Sequence, residues 1–136
     1  MEKTLNVAGR ILLANIFVIS GYGKIAGYVG TQAYMNAKGV PGDLLPLVIL
    51  LELGGGLAIA AGFMTRWVAL ALAGFSVVSA LIFHLDFGNQ MQAINFMKNL
   101  AMAGGFLVLA QTGAPWFSID AALGRKQPAG RVPQAA

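Results

Sequence analysis

Five side chains in an otherwise apolar chain are of types that do chemistry: Lys24, Glu52, His84, Lys98 and Asn99. Glu52 opens the run ELGGGLAIAAGFMTRW (52–67), a carboxylate inside a long apolar segment followed by three glycines. On a helix Glu52, Gly55, Gly56 and Ala60 share one face, because residues three and four apart are neighbours. A carboxylate in a lipid-facing helix turns toward protein or water, and such groups usually pair with one another and mark functional sites. Lys24 or Lys98 is the expected partner, with Asn99 and Tyr22 as nearby hydrogen-bonding groups. His84 exchanges protons near neutrality, since its unperturbed pKa is about 6.5. Together these groups suit a quinone headgroup or another small polar molecule, or a proton relay. They suit a purely structural role as well: ion pairs and amides lock helices together, and Lys24 or His84 can snorkel to water.

The elements that must position these groups are four apolar runs. Hydrophobic residues make up 57% of the 136, charged residues only 10%, and the mean hydropathy is +0.71. A soluble domain carries about 25% charged residues, and a spanning helix needs about 20 apolar ones. The fold class expected is therefore all-α, an antiparallel bundle of four transmembrane helices over 5–26, 44–63, 67–85 and 93–110. These form one domain over residues 1–120, and 121–136 reads as a flexible basic tail in the cytoplasm. Residues 27–43 form a glycine-rich polar loop with a short interfacial helix near 31–38, and Pro46 stands in the first turn of the second span, where its missing N–H is tolerated. The first run is long for a signal peptide and lacks an A-x-A cleavage site.

Depth follows from a helical rise of about 1.5 Å per residue, which puts Glu52 roughly 12 Å below the start of its span. Lys24 ends the first span, His84 and Asp86 end the third, and Asn95, Lys98 and Asn99 begin the fourth. All four helices are thus expected to bring polar groups to the same third of the bundle. At the opposite end Arg10, Arg66 and Asp120 read as a structural clasp, with Asp120 folding back onto Arg66. Gly54–Gly56 and the Ala101-x-x-x-Gly105 spacing read as small-residue packing surfaces.

The net charge is +4, and several of the basic residues sit at the edges of apolar runs rather than on one soluble face, which argues against nucleic acid. Lys3, Arg10, Arg66, Arg125, Lys126 and Arg131 fall on one side, Lys24, Lys38 and Lys98 on the other. Positive residues favour the cytoplasm, so both termini are expected there. Trp67 and Trp116 mark that boundary; Tyr22, Tyr28 and Tyr34 mark the outer one. The chain has no cysteine, which excludes disulfides, CxxC chemistry and thiolate metal sites within it. With a single histidine, no metal site is expected.

Over roughly Asn6–Asp120 the chain resembles the DoxX family of small four-helix membrane proteins. The resemblance lies in Arg10 to Lys24 with Gly21 and Gly23, the G-V-P of 39–41, Glu52 with its glycines, and Gly62-x-x-x-Arg66. It continues through His84, Lys98-Asn99-Leu100, Gly104-Gly105 and Ser118-Ile119-Asp120. The resemblance implies a multi-pass protein of the bacterial cytoplasmic (inner) membrane associated with oxidoreductases, thiosulfate:quinone oxidoreductase subunits among them. The leading expectation is a membrane subunit, or a quinone- or small-ligand-binding component, of an oxidoreductase system. Its enzymatic part would be at most that of an accessory subunit. No cofactor is held by the chain itself, a bound quinone being the candidate. The expected partners are the bilayer, redox-enzyme subunits and a second copy of the chain. Two other classes remain open: an oligomeric transporter of a small solute with Glu52 and Lys98 as gate or relay, and a ligand-free membrane scaffold.

Overall fold

The structure, a computed structural model, describes residues 1–124, so most of the segment read as a basic tail lies outside the described residues. Every regular element among the described residues is a helix, and there are no strands among them. In chain order the elements are α1 (Glu2–Ala26), α2 (Tyr28–Ala37), α3 (Gly42–Ala61), α4 (Thr65–Phe83), α5 (Gln90–Thr112) and the single turn α6 (Ile119–Ala122). Helices α1, α3, α4 and α5 are long and apolar enough to cross a membrane. Their outward faces carry Leu12, Ile19, Leu47, Leu70, Leu81 and Leu107, a surface that lipid rather than water would cover.

The helix limits differ from those read in the sequence at the polar ends. The fourth helix starts at Gln90 because the Asn89 side chain caps it, accepting from the N–H of Met91 at 3.0 Å and of Gln92 at 3.4 Å. The third ends at Phe83, leaving His84 just outside. The second begins two residues early, with a 3₁₀ turn at Gly42–Leu44, and widens into a π turn over Leu50–Gly54. Glu52 stands at the centre of that turn. Backbone of this kind recurs at functional sites.

Packing follows the glycines. A Cβ on Gly21 would lie 2.7 Å from the Leu53 backbone nitrogen, and one on Gly56 would meet Val18 and the Ala14 carbonyl. These two glycines let α1 and α3 approach closely. Gly55 packs on Leu72 of α4, and Gly105 of α5 on Leu13 of α1. The core around Phe17, Ile59, Leu72 and Phe106 is fully buried or nearly so. Phe17 meets Phe106 and Phe75 edge to face, at centroid distances of 5.4 and 6.3 Å.

α2 lies across one end of the bundle. Its Gln32 amide donates to the Gly42 carbonyl at 3.2 Å, and its Asn36 oxygen accepts from the Gly42 N–H at 2.8 Å. Tyr34 stacks on Phe83 at 5.4 Å, tying α2 to the end of α4. The bundle therefore has a roofed end beneath α2 and, opposite it, an end that holds Met1 and the α3–α4 turn.

Candidate functional site

At the roofed end the last two turns of α1 present Ser20 and Lys24 to the π turn of α3. The Lys24 ammonium lies 2.8 Å from Glu52 Oε2 and donates to Oε1 at 3.1 Å and to Ser20 Oγ at 2.7 Å. Ser20 in turn donates to the carboxylate, with contacts of 3.3 and 3.4 Å. Glu52 is buried and the Lys24 side chain is 26% exposed. A buried carboxylate in low dielectric needs such a partner with its remaining lone pairs satisfied; the close approach at Gly21 brings the two helices near enough to supply one.

Above the pair is a cavity of about 750 Å³ between α1, α2, α3 and α4. Lys24 and Glu52 form its polar floor, Val48, Phe75, Val78 and Ile82 its walls, and Thr31, Tyr34 and His84 stand among the residues nearer the roof. His84 Nδ1 is 2.6 Å from Gln92 Oε1. A hydrogen on Nδ1 makes this contact a hydrogen bond to the amide oxygen. A largely apolar pocket with a few convergent polar groups is the usual form of a small-molecule site. The Lys24 ammonium, already neutralised by Glu52, is suited to an uncharged acceptor such as a carbonyl oxygen rather than to an anion.

Of the six residues singled out from the sequence, Lys24, Glu52 and His84 border this cavity. The other three do not. Lys98 is exposed on α5, so the partner of Glu52 is Lys24. The Asn99 amide donates at 2.9 Å to the Asn95 carbonyl of its own helix. Tyr22 is 68% exposed. Helix α5 packs chiefly on α4, on the side away from α3, so three spans and α2, not four spans, build the site. Ser20, Thr31, Tyr34 and Ser79 were missed. Only Ser20 had a signal, standing one turn before Lys24 on the same face.

The opposite end holds the clasp in altered form. Arg10, 1% exposed, donates through Nη2 to the carbonyls of Trp116 and Phe117 at 3.2 and 2.9 Å. Asp120 accepts from the N–H groups of Met64 and Thr65, each at 2.9 Å, and so caps α4. Its attraction extends to Arg10. Arg66 bonds instead to the Ala110 carbonyl at 3.0 Å. The expected Asp120–Arg66 contact is thus replaced by a helix cap, because the first N–H groups of α4 have no partner within the helix.

The DoxX profile matches residues 5–85. The chain is 54% identical to the Escherichia coli inner membrane protein YqjF, over 93% of this chain and 97% of that protein. It is 35% identical to the inner membrane protein YphA of the same organism, over 88% of this chain and 90% of YphA. No solved structure gives a significant match.

Proposed function

The chain belongs to the DoxX family, and from that premise we propose that it is an inner-membrane component of an oxidoreductase system that binds a quinone headgroup at Lys24 and Glu52. The observation that carries this reading is one neutralised ion pair on the floor of an apolar cavity. A quinone ring is flat and uncharged and carries carbonyl acceptors. It would accept from the Lys24 ammonium, with His84, held by Gln92, as a second polar group near the roof. In this reading the clasp end faces the cytoplasm and redox-enzyme subunits dock on the bundle, alone or as a homo-oligomer. The names of the two relatives support the inner membrane as the location.

A transporter is the weaker reading. Beyond the cavity the interior is filled by Phe17, Ile59, Leu72 and Phe106, with no exposure above 4% among them, so a continuous path through one copy is not apparent. A scaffold without a ligand is separated by experiment. Quinone retained by gently purified protein is quantified by mass spectrometry in wild type and Glu52→Gln, with size-exclusion profiles to verify folding. Quinone held by the wild type and lost from a monodisperse Glu52→Gln is expected. Equal amounts in both would make Glu52 a packing residue and sink the binding role.

A further inference from the structure

Resting on the reading of this cavity as a binding site, we infer that its ligand carries a long apolar tail that leaves sideways into the bilayer between α3 and α4, and that Leu44, Val78 and Ile82 select for that tail. Helices α3 and α4 share a tight turn at Gly62–Met64 and pack together along Gly55–Ala61, with Gly55 against Leu72. Toward the roofed end the cavity separates them, bordered by Leu44 and Val48 on one side and by Val78 and Ile82 on the other. Leu44, Val78 and Ile82 are 43, 53 and 39% exposed, so this border forms part of the outer surface of the bundle. Val78 lies five residues inside the end of α4, about 7.5 Å along the axis, which is bilayer depth.

At the roofed end the cavity lies beneath α2. α2 crosses it, pinned to Gly42 by Gln32 and Asn36 and to Phe83 by Tyr34, with Met35 buried beneath. The volume bears on the occupant as well. About 750 Å³ equals some 25 water molecules at about 30 Å³ each, well beyond one aromatic ring. A head on the ion pair would leave the remaining volume and the lateral opening to an alkyl or prenyl chain of the same molecule. The inferred ligand is therefore a membrane-resident amphiphile with an uncharged acceptor head, and a water-soluble solute is disfavoured.

The test measures affinities of two probes for the full chain in detergent by equilibrium dialysis, with the bound probe quantified by absorbance: a tail-less dimethoxybenzoquinone and its decyl-substituted analogue. Wild type is expected to bind the decyl compound at least tenfold more tightly. In Val78→Trp, and independently in Leu44→Trp, that ratio should fall toward one, since an indole would occupy the opening. Equal affinities in wild type would overturn the tail slot while leaving head binding intact. Binding of neither probe would overturn both readings. Displacement of the decyl compound by an equimolar amount of phosphatidylethanolamine would overturn the inference in favour of a phospholipid.

Discussion

Glu52 and Lys24 are unequal partners, and the inequality can be measured. Glu52 is 4% exposed, whereas the Lys24 side chain keeps about a quarter of its surface and stands near the end of its helix. An unpaired Lys24 can extend to the interface; an unpaired Glu52 cannot. Breaking a buried pair costs about 3–5 kcal/mol. Lys24→Met is expected near the lower end of that range, and Glu52→Leu clearly below it. Replacing both partners by apolar residues is often neutral, so the double variant should regain most of the stability while retaining no quinone. The fraction monodisperse after heating in detergent gives the order; a double variant as weak as Lys24→Met would mean that the pair is not an isolated unit. Glu52 was legible in the sequence because a carboxylate in an apolar run must find a partner. Which lysine would serve was not, since Lys24 and Lys98 stand at similar depth and only the order of helices around the bundle separates them. Ser20 carried too little chemistry to stand out.

At the scale of elements, close approaches decide the arrangement. The α1–α3 seam has no room at Gly21, where a methyl group would meet backbone rather than a movable side chain. Gly21→Ala should destabilise by about 1–3 kcal/mol, in the range of overpacked cores. It should also weaken ligand retention, because Lys24 is one turn away; wild-type melting and retention would show that the seam can yield. The α3–α4 turn is equally confined. Gly62 has a φ of +69°, and a Cβ there would strike the Arg10 guanidinium and Ser118. Left-handed backbone alone costs a non-glycine residue about 1–2 kcal/mol and overpacking adds about 1–3 kcal/mol, so Gly62→Ala should destabilise by at least about 2 kcal/mol. Melting curves in detergent measure it, and wild-type melting would mean that Arg10 moves freely. The spans and the packing role of the glycines could be read from the sequence. The π turn could not, since LLELG is ordinary helix-forming sequence, and neither could the capping role of Asp120, which depends on how far α6 folds back.

For the whole molecule the open question is which face meets the cytoplasm. The sequence sets six basic residues against three. Among the described residues the two ends balance, with Lys3, Arg10 and Arg66 at the clasp end against Lys24, Lys38 and Lys98 at the roofed end. The difference rests on Arg125, Lys126 and Arg131, beyond the last span. Charges within about 15–20 residues of a span influence orientation, and C-terminal ones can reverse it. The chain has no cysteine, so single cysteines report cleanly. Val29→Cys lies exposed at the roofed end and Thr4→Cys at the clasp end. A membrane-impermeant maleimide added to intact spheroplasts should label Val29→Cys and spare Thr4→Cys until the cells are lysed. Changing the three tail residues to glutamine should produce a mixed population in which both sites react. The opposite labelling in the unmodified tail would place the cavity on the cytoplasmic side, where a quinone would exchange protons with the cell interior. An unchanged pattern without the tail charges would mean that the first helix alone sets the orientation.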